Sequence, residues 1–292
     1  MSASLECSAP AKLNLFLHVV GRRPDGYHLL QSAFQLIDLC DTVTLRVRED
    51  ARIVRRAGAP GVAEDDDLCV RAARALQART GTTRGAEITL EKNIPLGGGL
   101  GGGSSDAAST LIGLNRLWAT GLSRGELIEV GLPLGADVPF FLFGRNAFVE
   151  GIGESLSALA TPARFFCVIH PGVAVPTGEI FRAPELTRNT SPLKMSDFCE
   201  STGPGQLPVL EQDFGHNDLE AAAVARFSEV GAALGWLRRF GHARMSGSGA
   251  CVFCAFDTRE DALEPLRSLP SPWLGWVCRG LDDHPLASWV GD

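Results

Sequence analysis

The sequence predicts a protein of mixed strands and helices in two domains, and three observations carry that expectation. A chain of 292 residues with 45% hydrophobic and 21% charged side chains can bury a sizeable core and divide into more than one compact unit. Period-two and period-3.6 patterns alternate along its first half. After about residue 161 the character changes: a strand-like segment at 164–170 leads into a polar stretch rich in Pro and Gly, roughly 171–215, that reads as the boundary region.

The elements follow in order. Residues 11–20 alternate cleanly, with Ala11, Leu13, Leu15, Leu17 and Val19 on one face and Lys12, Asn14, Phe16, His18 and Val20 on the other, which is the pattern of a strand. Lys12 and Asn14 therefore share a face. Pro24-Asp25-Gly26 makes a turn into Tyr27 and His28, followed by extended segments at 32–39 and 42–47. Residues 67–79 read as a helix, 86–90 (AEITL) as a strand, 104–118 as a helix with Ala107, Leu111, Leu114 and Trp118 at helical spacing, and 124–131 as a short helix. In the second half, 219–237 reads as an Ala-rich helix, 250–256 as a strand and 259–268 as a helix, with no internal repeat.

Composition excludes several classes. A net charge of -7 with pI near 5.4 argues against nucleic acid as a partner, because phosphate backbones demand a Lys/Arg surplus. No apolar run approaches the roughly 20 residues of a membrane span. The N-terminal segment has neither the charged start nor the apolar run of a signal peptide, so a cytoplasmic location is expected. Eight cysteines are too few for a disulfide framework in a chain of this length. Cys251 and Cys254 form a C-x-x-C, but in a strand they face opposite ways and no second pair completes a metal site. Buried free thiols are expected.

Residues 95–105 read PLGGGLGGGSS, with six glycines, between a strand and a helix. Glycine lets successive backbone N–H groups turn inward and lets an anion approach the main chain. The helix N-terminus that follows adds a partial positive charge, with Ser104 or Ser105 as its expected N-cap and Asp106 as a further capping residue. The absence of a Gly-Lys-Ser/Thr ending excludes the usual P-loop, and no strand ending in Asp or Glu follows about twenty residues later, as a dinucleotide site requires. An abrupt loop between two regular elements is also unlike a linker. A phosphate site remains. Two further loops, Gly135-Ala136-Asp137-Val138-Pro139 and Met245-Ser246-Gly247-Ser248-Gly249, are each ambiguous alone but could meet it in one pocket.

Together, PAKLNLFLHVVGRRPDGYH, PLGGGLGGGSSDAA, GADVPFFL and MSGSGACVF resemble the GHMP kinase superfamily. The likeness runs in register from about residue 10 to 256 and includes PTGEIF at 176–181 and RNT at 188–190. Within the superfamily, the N-terminal segment and GADVPFFL look most like the branch acting on 4-diphosphocytidyl-2-C-methyl-D-erythritol in non-mevalonate isoprenoid biosynthesis. The resemblance implies an α+β, two-domain GHMP kinase-like fold with the active site in the cleft between lobes, divided as 1–162 (ATP-binding) and 163–292. It implies transfer of the γ-phosphoryl group of ATP, with Mg2+, to the 2-hydroxyl of that substrate. Lys12 and Asp137 are the implied catalytic residues. ATP is expected on Pro95, Leu96, Gly97, Gly98, Gly99, Leu100, Gly101, Gly102, Gly103, Ser104 and Ser105, with Ser104 or Ser105 near the metal, whose ligands stay unassigned. The cytidine end is expected on Asn14, Tyr27, His28, Thr177 and Phe181, with Tyr27 and Phe181 sandwiching the base, and Arg22 and Arg23 near the diphosphate. The alternatives are a GHMP kinase for mevalonate, homoserine or a sugar, and a nucleotide-binding regulator without turnover.

Overall fold

The computed structural model describes residues 3–194 and 215–291, and its organising element is one long strand. β1 (Ser4–Arg22) and β2 (His28–Arg48) form an antiparallel hairpin along nearly their whole length, with bulges after Pro10, Asn14 and Val19. The opposite edge of β2 is shared in succession by β5 (Ala147–Gly151), β10 (Leu274–Leu281) and β4 (Gly85–Glu91). β3 (Ile53–Ala57) lies parallel to β4, and β6 (Ser155–Ala158) pairs with β5. Beyond β10 the sheet continues through β7 (Phe165–His170), β9 (Val252–Phe256) and β8 (Arg244–Met245). β10 is the hinge strand of the architecture: Gly280 and Leu281 pair with β2, and 274–279 pair with β7.

Helices cover the sheet where their apolar stripes fit. α1 (Leu68–Thr80), α2 (Gly102–Trp118), α3 (Arg124–Gly131) and α4 (Val138–Phe143) pack with β2, β4 and β5 around Leu45, Ile88, Leu111 and Phe140, all fully buried. The last residues return to this cluster through Leu286 and Val290. α6 (Asp218–Arg226) and α7 (Ser228–Leu237) enclose a second cluster with β7 and β9, beside the short α5 (Thr177–Arg182). A third cluster, including Leu13, Phe16, Ile37, Phe148, Phe166 and Phe253, joins the two halves beneath the glycine loop through Leu100 and Cys251. Cys254 in β9 and Cys251 just before it do face opposite ways, one in each of the last two clusters. Both thiols are free and buried, and burial raises the Cys254 thiol to about 12.

Three elements depart from the sequence reading. The extended segments at 32–39 and 42–47 are a single strand, because the intervening Asp41 is buried with its carboxylate satisfied by the N–H groups of Asn93 and Ile94 and by Lys92. The Ala-rich helix is two helices, broken where Phe227 adopts extended backbone (φ -126, ψ 91) and its N–H closes α6 on the Ala223 carbonyl. The 259–268 helix is α8 (Arg259–Leu263), capped by Thr258, which tightens into a 3-10 turn at Pro265, where the missing N–H ends regular α-helical bonding. Residues 195–214, with Cys199 and the latter part of the polar stretch, lie outside the described residues. Among the described residues no helix is long and apolar enough to cross a membrane.

Candidate active site

The glycine loop gives its carbonyls to hydrogen bonds within the protein and lines a cavity of about 970 Å³. The Gly97 carbonyl accepts from the N–H groups of Val175 and Ala250 (3.3 and 3.2 Å), that of Gly98 from Cys251 N–H (3.0 Å), that of Gly99 from the Ser246 hydroxyl (3.0 Å) and that of Leu100 from Lys12 N–H (3.0 Å). No N–H between Gly97 and Ser104 has a partner among the described residues. Positive φ at Gly97, Gly99 and Gly101 (64°, 72° and 73°) produces the alternation, the geometry of a backbone anion nest. At Gly99 a Cβ would lie 2.1 Å from the Ser246 carbonyl oxygen, so glycine is required there for close approach as well as for φ. The cap of α2 is Gly101, not Ser104 or Ser105: the glycine conformation starts the helix earlier, and the Ser105 N–H already bonds the Gly101 carbonyl (2.9 Å). Residues 95–104 all line the cavity. Ser105 does not; its hydroxyl is fully buried and has no partner among the described residues.

Lys12 and Asp137 meet on the same cavity, with Nζ 3.6 Å from Oδ2. Strand alternation brings Lys12 there beside Asn14, whose Oδ1 accepts from Nζ. The Asn14 amide donates to Ser32 Oγ (3.0 Å), and Ser32 donates to the Phe16 carbonyl, which fixes which end of the amide faces Lys12. The ammonium also lies 4.7 Å over the Phe34 ring. Burial pushes the Lys12 pKa down, opposed by the attraction of Asp137. Asp137 occupies the N-cap position of α4 but makes no side-chain cap bond. Its carboxylate is given over to Lys12 and the cavity.

Tyr27, His28, Thr177 and Phe181 also stand on the cavity wall, as does Asn14 beside Lys12. The ring packed on Phe181 is His28, with centroids 5.1 Å apart and planes at 32°. Tyr27 is 61% exposed. Thr177 Oγ1 lies 2.8 Å from Ser248 Oγ, which ties α5 to the second glycine loop. That loop reaches the first through Ser246, as the paired-loop reading of the sequence expects. Arg22 and Asp25 line the cavity, whereas Arg23, paired with Asp25 (2.6 Å), does not.

Residues 67–145 match the family described as GHMP kinases N terminal domain, and residues 205–273 match GHMP kinases C terminal. A protein of Herminiimonas arsenicoxydans named 4-diphosphocytidyl-2-C-methyl-D-erythritol kinase is 55% identical over 284 residues, covering 96% of each chain. One of the same name from Ralstonia nicotianae is 57% identical over 283 residues, covering 97% of this chain and 96% of its own. The chain belongs to the 4-diphosphocytidyl-2-C-methyl-D-erythritol kinase family. A crystal structure of a 4-(cytidine 5'-diphospho)-2C-methyl-D-erythritol kinase, 35% identical, superposes with a TM-score of 0.77 over 94% of this chain and 99% of its own. The wider GHMP kinase fold extends to a homoserine kinase of Cytophaga hutchinsonii, 18% identical with a TM-score of 0.71 over 96% and 95% of the two chains.

In this family member the sequence reading missed one buried charge cluster at the cavity's edge. Lys92 lines the cavity and donates to Asp106 (2.8 Å) and to Asp41. Asp106 is therefore not a capping residue. Burial and the neighbouring Asp41 raise its pKa to about 8 against the opposing pull of Lys92, and its Oδ1 has no partner among the described residues. For Lys92, the two carboxylates outweigh the lowering effect of burial and raise its pKa. Nothing in local spacing links residues 41, 92 and 106: the pairing of β2 with β4 brings Asp41 to Lys92, and the packing of α2 on the sheet adds Asp106. Among the described residues no group of three His, Cys, Asp or Glu forms a metal site. Of the two loop serines only Ser104 lines the cavity.

Proposed function

We propose that this enzyme transfers the γ-phosphoryl group of ATP to the 2-hydroxyl of 4-diphosphocytidyl-2-C-methyl-D-erythritol, a step of non-mevalonate isoprenoid precursor biosynthesis. The observation that carries the reading is one cavity with a row of unpaired backbone donors and, beside it, a lysine–aspartate pair. The N–H groups of residues 97–104 hold the triphosphate. Asp137 accepts a hydrogen bond from the acceptor hydroxyl and takes its proton as the new P–O bond forms and the bond from the γ-phosphorus to the β-bridging oxygen breaks. Lys12, oriented by Asn14, pairs with Asp137 and offsets charge on the transferring group. Mg2+ bound with ATP would neutralise charge on the phosphate oxygens, with Ser104 within its reach.

Tyr27, His28 and Phe181 receive the cytosine, and Arg22 faces the diphosphate. The division at residues 162 and 163 separates the unit carrying the glycine loop from that carrying Thr177 and Phe181. A cytoplasmic site of action fits the free thiols at all seven described cysteines.

The test is ADP release in a coupled assay with ATP and Mg2+, comparing 4-diphosphocytidyl-2-C-methyl-D-erythritol with mevalonate, homoserine and galactose. Turnover of the cytidylylated substrate alone is expected. Turnover of another alcohol instead would retain the kinase and discard the cytosine pocket, and silence with all four despite ATP binding would favour a regulator.

A further inference from the structure

Arg188 contributes to the cavity wall from the loop after α5, and every nitrogen of its guanidinium is engaged. Nη1 donates to the Leu186 carbonyl (3.0 Å), Nη2 to the carbonyls of Phe181 and Ala183 (3.1 and 2.8 Å), and Nε to His28 Nε2 (3.1 Å). Three main-chain carbonyls thus fix the plane of the guanidinium and aim its Nε–H at the histidine ring. A guanidinium has donors only and does not lose its proton in proteins. The His28 nitrogen facing it must therefore be the bare one.

The consequence passes to the other side of the ring. A neutral imidazole with Nε2 as acceptor carries its hydrogen on Nδ1. His28 Nδ1 has no partner among the described residues, and His28 lines the cavity with its ring laid on Phe181. Partial burial and the positive charges of Arg188 and Arg22 lower the His28 pKa, so the doubly protonated ring is disfavoured.

We propose that Arg188 is a positioning residue that holds the His28 proton on Nδ1, so that the ring presents a single donor and the pocket prefers cytosine, whose N3 accepts a hydrogen bond, to uracil, whose N3 donates one. The proposal rests on the cytidine reading above and goes beyond it by assigning the discrimination to a residue that need not touch the base. Two opposed donors in a desolvated pocket leave both unsatisfied, a penalty of roughly five- to 150-fold in affinity.

The experiment measures CMP and UMP as competitors of the acceptor substrate at fixed ATP, in wild type, Arg188→Met and Arg188→Lys. Wild type should bind CMP at least tenfold more tightly than UMP. Arg188→Met removes the donor and frees the ring to take either tautomer, so the CMP:UMP preference should fall about tenfold. Arg188→Lys, again a donor without an acceptor, should restore part of it. Equal affinity for the two nucleotides in wild type, or equal weakening of both in Arg188→Met, would overturn the proposal, the latter leaving Arg188 only a loop fastener. Failure of CMP to compete in wild type would instead strike down the cytidine reading itself. If Arg188→Met does not fold, nitrogen-15 NMR of the wild-type His28 ring decides: a hydrogen on Nδ1 supports the assignment, and one on Nε2 sinks it.

Discussion

Replacing Gly99 with alanine puts the nucleotide cradle to a quantitative test. The added Cβ would stand 2.1 Å from the Ser246 carbonyl oxygen and 3.0 Å from that of Gly249, where ordinary contact begins near 3.4 Å. One of the two interlocked glycine loops has to retreat by about 1.3 Å. The left-handed backbone at φ 72° adds about 1–2 kcal/mol for any residue with a Cβ. Gly121 separates the two effects, because it has φ 71° and no atom within 4 Å of its would-be Cβ. Gly121→Ala should lose about 1 kcal/mol of stability, a melting shift of a few degrees, with unchanged turnover. Gly99→Ala should lose at least as much stability and also roughly 100-fold in kcat/KM for ATP, the usual cost of misplacing catalytic geometry by about 1 Å. Thermal melts and coupled ADP release on both variants, with ATP varied, measure the two quantities. Gly99→Ala enzyme within threefold of wild-type kcat/KM for ATP would refute the cradle.

Three further outcomes are expected. Asp137→Asn should lower kcat by at least about 100-fold with little change in the dissociation constant of ATP, and near-normal turnover would remove Asp137 from the mechanism. Tyr27→Ala, at a site too exposed to matter for folding, should raise KM for the cytidylylated substrate several-fold and leave KM for ATP alone; parallel increases would show a general disturbance of the cavity. Asp106, with a pKa raised by burial from the ordinary 3.8 to about 8 in the folded protein, binds more protons folded than unfolded between those values, so its contribution to stability falls as pH rises through that window. Asp106→Asn should therefore gain melting temperature relative to wild type from pH 5 to pH 8, and parallel pH curves for the two proteins would contradict the assignment.

What could be read in the sequence was whatever local pattern carries. The alternation around Lys12 and Asn14 put two polar side chains on one face, and the structure joins them by a hydrogen bond. The glycine run, flanked by strand and helix, declared its loop in the same way. Partners chosen by sheet pairing were not legible. Asp41, Lys92 and Asp106 become one cluster only through the β2–β4 register and the placement of α2 beside it, so Asp106 read alone looked like a cap. Phe227 sits in an unbroken helical pattern, and the break there serves packing against the second core. Asp137 was ambiguous between cap and catalyst for the same reason: the choice depends on Lys12, 125 positions earlier.

The carbonyls of the glycine loop are gripped by Lys12, Val175, Ser246, Ala250 and Cys251. The eleven residues that spell the loop do not by themselves possess its shape, since the peptide planes are turned by parts of the chain far from it in sequence, from Lys12 to Cys251. Nucleotide capture is thus a late acquisition of folding. A nascent chain that has emerged only to residue 162 owns the glycines but lacks four of the five residues that orient them, and ATP affinity becomes a gauge of whether the two halves have closed on each other.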